Sequence, residues 1–85
     1  MSLSDELRSE IEKWSKKLEH ALSSISHLDD SGSRLLENIR AYYKDSQHFL
    51  NNGDLIRSFE CLIWAWAFLE IGTQLGHLRS SKKPF

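Results

Sequence analysis

From residue 4 onward the apolar positions Leu7, Ile11, Trp14, Leu18, Ala21, Ile25 and Leu28 recur at alternating intervals of four and three residues. Because about 3.6 residues complete a helical turn, that spacing lines one side of an α-helix with side chains a neighbouring helix can bury. Between them stand Arg8, Glu10, Lys13, Lys16, Lys17 and Glu19, which belong on a solvated face. Ser4 is placed to cap the first turn, where Asp5 and Glu6 meet the positive end of the helix dipole. The pattern predicts a first helix over residues 4–28, closed by the turn-forming stretch "HLDDSGS".

A second helix is predicted over residues 33–52, with Leu35, Leu36, Ile39, Tyr42, Tyr43, Ser46, Phe49 and Leu50 on one side and Glu37, Arg40, Lys44, Gln47 and His48 opposite. "NNGD" stops it: Gly53 supplies a left-handed residue after the last turn, and Asp54 caps the next helix at once. So short a connection folds helices two and three into an antiparallel hairpin. The third helix is predicted over 54–76, with Gly76 as its terminating glycine, and the tail 77–85 is expected to fray. The expected fold is therefore all-α, a three-helix bundle forming one domain over residues 1–85.

Within the third helix, "CLIWAWAFLE" at positions 61–70 holds nine apolar residues before its glutamate. A membrane-spanning helix needs about 20, so this is not a span. At about 100° per residue, Leu55, Phe59, Leu62, Ala65, Trp66, Leu69 and Thr73 share one face with Ser58 and Gly72 beside them, and that stripe is the expected core. Ile56, Ile63, Trp64, Ala67 and Ile71 fall on the other side, interleaved with Glu60, Glu70 and Gln74. Leaving Ile63, Trp64 and Ile71 in water forgoes about 1.5–3 kcal/mol of burial each, which is large against the roughly 5–15 kcal/mol that holds a small domain together. The residues Ile56, Glu60, Ile63, Trp64, Ala67 and Ile71 are thus expected to form an interface with another subunit, the alternative being a first helix that wraps further and buries both faces within one chain.

Composition changes the picture mainly by exclusion. With 11 basic and 12 acidic residues dispersed along 85, the chain has no basic footprint for nucleic acid or an anionic membrane. Its one cysteine, Cys61, has no partner in its own chain and reads as a reduced, inert thiol, which points to a cytoplasmic location. The polar start "MSLSDELRSE" is unlike a signal or transit peptide. An 85-residue chain buries only about 60% of its unfolded surface, so stability should be thin.

The sharpest polar constellation is Asp45 with His48, three residues apart on one helix, with Glu60 as an extra ligand across the hairpin. A carboxylate and an imidazole at that spacing can share a metal or bind a small molecule, and helical di-iron proteins use Glu-x-x-His in this way. Those centres need two such motifs and further carboxylates, whereas this chain has one, so a hydrogen-bonded hairpin is the simpler expectation. His20, His27 and His77 stand apart from any partner in the sequence and read as surface residues. Phosphate-binding glycine loops, paired CxxC motifs and the GxSxG nucleophile elbow do not occur. No residue is identified as catalytic, and no cofactor is implied.

Positions 41–76, "AYYKDSQHFLNNGDLIRSFECLIWAWAFLEIGTQLG", combine Tyr43, Asp45, a "FL..GD" turn from Phe49 to Asp54, and an aromatic, alanine-containing helix with Gly72 in "G..LG". In these features the segment resembles the small archaeal proteins grouped as domain of unknown function 357. The resemblance implies a short, helical, cytoplasmic protein without an assigned activity. One departure is Ser58, where a small alanine is expected after the turn. The hairpin also has a faint likeness to a tetratricopeptide unit, which would need more repeats, and to helical nucleotide-binding domains of toxin–antitoxin systems, whose ribonuclease arginine–histidine spacing is missing.

Taken together, the residues lead to a non-enzymatic protein-interaction module that self-associates as a homodimer or other homo-oligomer, with an unidentified protein as a further possible partner. The alternative is a metal- or small-molecule-binding helical protein using Asp45, His48 and Glu60.

Overall fold

The computed structural model describes residues 2–81. Three helices, α1 (Leu3–Leu22), α2 (Asp30–Asn51) and α3 (Leu55–Gln74), form a small, mostly helical bundle, with two short strands, β1 (Ile25–His27) and β2 (Leu78–Ser80), joined as an antiparallel ribbon. α2 and α3 pack against each other along their length, and α1 lies mainly along α3. Ile11, Leu18, Ala21, Leu36, Ile39, Leu62, Ala65, Leu69 and Leu78 make up the core.

The α2–α3 hairpin is built as its turn residues dictate. Gly53 adopts φ 78°, Gly53 N donates to Leu50 O and Asp54 N donates to Phe49 O at 2.9 Å, which closes the end of α2. The Asp54 side chain then accepts from Arg57 N, capping α3 immediately. At the far end Gly76 adopts φ 82°, and His77 N donates to Gly72 O at 2.9 Å in the same kind of helix stop. Where the hairpin helices cross, Ser46 and Ser58 are fully buried and reciprocal: each hydroxyl donates to the other's carbonyl oxygen at 2.8 Å. Side chains this small let the helices approach closely.

The first helix is shorter than its apolar spacing predicts. It ends at Leu22, six residues before Leu28, and Ile25–His27 is a strand. Ser23 Oγ donates to His20 O at 2.6 Å and Ser24 Oγ to Ala21 O at 3.3 Å, which gives the backbone an alternative to continuing the helix. Its cap is Ser2, in a reciprocal capping box with Asp5, rather than Ser4. Two predicted seam residues also lie outside the core: Trp14 is 37% exposed and Leu28 54%. Ser15 is buried in their place, and Gln47, expected on the solvated side of α2, donates from Nε2 to its hydroxyl at 2.9 Å.

The tail departs from expectation in the same region. Leu78, expected to fray, is buried in the core, and β2 pairs with β1 in the register Ile25 to Ser80, Ser26 to Arg79 and His27 to Leu78. The apolar Leu78 side chain packs over Gly72, which anchors the strand on α3. Residues 82–85 of the tail lie outside the described residues.

The ribbon in turn sets where α2 begins. Asp29 caps α2 through Gly32 N at 2.7 Å, its other carboxylate oxygen lies 2.8 Å from His77 Nδ1, and Leu28 N donates to His77 O at 2.9 Å. The second helix therefore starts at Asp30, three residues earlier than predicted.

Candidate interaction surface

α3 carries two opposed faces. Ser58, Leu62, Ala65, Leu69 and Gly72 are buried against α1 and α2. On the reverse side Ile56 is 69% exposed, Trp64 54%, Ile63 49% and Ile71 49%, with Ala67 half-buried and Glu60 exposed among them. All six residues singled out from the sequence thus lie on one outward strip. Apolar side chains this concentrated on one helix side are what distinguishes a patch from scattered surface leucines.

The strip continues onto α2 in a way the residue pattern did not reveal. Tyr42 stacks on Trp64 with ring centroids 6.5 Å apart and on Phe68 at 5.8 Å, while Trp64 and Phe68 are themselves 5.8 Å apart. Tyr42 was expected on the core side of its helix; it is half-buried, and its ring faces this cluster. A signal for it exists, since Tyr42 and Trp64 stand equally far before and after Gly53 and an antiparallel hairpin brings such positions level.

The opposite edge of α3 meets α1. Trp66 Nε1 donates to Trp14 O at 3.3 Å, and the two indoles meet edge to face at 5.7 Å. Lys17 Nζ lies 4.4 Å above the Trp14 ring, and Glu10 accepts from its Nε1 at 3.0 Å. This edge is closed by charged side chains, so the apolar strip opens away from α1.

Asp45, His48 and Glu60 do not assemble a metal centre. Among the described residues no group of three or more His, Cys, Asp or Glu is placed to hold a metal ion. His48 Nε2 instead lies 3.1 Å from Asn52 Nδ2, one turn on, and its ring packs edge-on against Phe49. Asp45 and Glu60 act electrostatically on Cys61. Burial first, and then these two carboxylates, push the thiol's pKa up, so it stays protonated and poorly nucleophilic at neutral pH.

His77, read as a surface residue, is engaged with Asp29, and the N–H groups donated by His77 and Gly32 hold that carboxylate below its usual range. A shallow cleft of about 420 Å³ between α1 and α2 is lined by Glu19, Leu22, Ser23, Arg40 and Tyr43. Burial and the neighbouring Glu19 push the Tyr43 phenol up to about 12. This phenol therefore stays protonated at neutral pH.

The comparisons with known proteins agree with this architecture. Residues 13–78 match the family model described as "Protein of unknown function (DUF357)". The crystal structure of protein AF1782 from Archaeoglobus fulgidus, to which the same family model applies, is similar to this chain with 45% sequence identity and a TM-score of 0.85, over 94% of this chain and 100% of that one. No curated protein matches the sequence.

Proposed function

We propose, from the premise that this chain belongs to the DUF357 family, that it is a non-enzymatic interaction module which associates with a second copy of itself through the outward face of α3. The observation that carries this reading is the strip of Ile56, Ile63, Trp64 and Ile71, each 49% exposed or more on a chain that has little core to spare. A second copy would recover burial of about 1.5–3 kcal/mol for each fully covered side chain. The strip follows most of α3, about 30 Å for a helix of 20 residues. That length suits a modest helix-to-helix interface, at the lower end of stable ones.

Multi-angle light scattering tests it directly. A dimer mass is expected at high micromolar concentration, dissociating on dilution. Ile63→Asp, at a side chain already half exposed, should leave the helical circular dichroism intact and yield a monomer. A wild-type chain that stays monomeric throughout that range would sink the proposal.

A further inference from the structure

The geometry of α3 points to a specific orientation, an inference that rests on the self-association reading above: we infer that the second copy lies antiparallel, with the two-fold axis crossing α3 between Ile63 and Trp64. With Glu70 and Gln74 exposed at its border and Tyr42 and Phe68 extending it sideways, the strip along α3 itself consists of Ile56, Glu60, Ile63, Trp64, Ala67 and Ile71. Reversing the helix about a point midway between Ile63 and Trp64 brings every one of these residues level with another member of the set. Ile56 comes level with Ile71 of the second copy, Glu60 with Ala67, and Ile63 with Trp64. A two-fold interface must be self-complementary in this way, the same patch meeting itself.

Charge separates this arrangement from the parallel one. Glu60 sits within the strip, one turn from Ile56 and away from its midpoint, and among the described residues it forms no ion pair, while the nearby Arg57 is engaged with Asp54 at 3.5 Å. A parallel pairing sets the two Glu60 carboxylates side by side at one level of an apolar seam. Like charges facing each other are destabilising, and drying them without a cation adds to the penalty. In the antiparallel pairing Glu60 faces the methyl group of Ala67, which leaves its carboxylate room to bend toward water. The two carboxylates are then separated by seven residues of helical rise, about 10 Å, close to the screening length of about 10 Å at 0.1 M salt. The dipoles of two antiparallel helices also oppose rather than reinforce each other.

The orientation can be read from one distance. Gln74 is exposed at the end of α3. A nitroxide label on Gln74→Cys, with Cys61→Ser to remove the native thiol, should give a label separation of about 30 Å or more by pulsed electron paramagnetic resonance, since about 21 residues of rise then separate the two sites. A separation below about 15 Å in a particle of dimer mass, as side-by-side helix ends would give, overturns the orientation and leaves self-association standing. A monomer mass overturns both. Should the labelled chain fold poorly, cysteine pairing decides the matter: Ile56→Cys chains mixed with Ile71→Cys chains, each carrying Cys61→Ser, should oxidise to the mixed dimer. A disulfide between two Ile56→Cys copies would rule the antiparallel arrangement out.

Discussion

Gly32 and Gly72 are the two positions where a single methyl group would collide with the ribbon. A Cβ on Gly32 would run into the backbone oxygen of His77, and one on Gly72 would come within 2.7 Å of Leu78 Cδ1 and 3.1 Å of Leu35 Cδ1. A side-chain tip can rotate away, whereas a backbone carbonyl that already accepts from Leu28 N cannot move freely. Gly72→Ala is therefore expected to cost about 1–3 kcal/mol and Gly32→Ala distinctly more, as read from urea unfolding midpoints. Titration at this scale is equally specific. Asp29, held low first by its bond to His77 and then by Gly32 N, lends stability that is present above its ordinary value of 3.8 and lost as pH falls through its lower folded-state value. Tyr43 works in the opposite sense, because a raised phenol favours the fold while protonated; that contribution is present below pH 10 and lost toward about 12. Thermal unfolding followed across pH should fall at both ends, and Asp29→Asn should flatten the acid limb while Tyr43→Phe flattens the alkaline one.

Among the elements, the hairpin of α2 and α3 was the most legible. Its turn is written in four consecutive residues, Asn51 to Asp54, and its close approach in Ser46 and Ser58, both small, the latter standing where an alanine is expected. Helix α1 was legible as a helix but not in its length, because Ile25 and Leu28 continue the four-and-three spacing by coincidence after the chain has turned at Ser23 and Ser24. The ribbon was invisible for a different reason: its two strands are three residues each and are separated by fifty residues of sequence, so no local periodicity announces the pairing. Its weight falls on Leu78, the core residue it brings in from the tail. Leu78→Ala should cost about 2–4 kcal/mol and raise amide exchange at Leu28, whose N–H is bonded to His77 next to it.

For the whole molecule, a layer of α1 against one side of the hairpin leaves the other side of α3 bare, and the strip that results contains one charge, Glu60, a turn in from Ile56, with Glu70 at its edge. If that strip is the seam of a dimer, the carboxylate opposes association. Glu60→Leu is then expected to tighten the dimer by about tenfold or more, corresponding to at least about 1.4 kcal/mol, measured as the concentration of half-dissociation in sedimentation or scattering. Among the described residues no helix is long and apolar enough to cross a membrane, which accords with the reading of "CLIWAWAFLE" as two faces of one helix.

The amino-acid order alone determined the three helices, the hairpin turn, the inward stripe of Leu62, Ala65 and Leu69 and the outward strip of Ile56, Ile63, Trp64 and Ile71, because helical periodicity and capping are encoded within a few residues of each position. Tertiary structure decided the rest: where α1 stops, that Leu78 belongs to the core, that Tyr42 and Phe68 extend the strip, and that Asp45, His48 and Glu60 do not converge on a metal. Each of these depends on which distant segments meet, and, the symmetry of the hairpin about Gly53 aside, contacts across tens of residues leave no trace in local spacing.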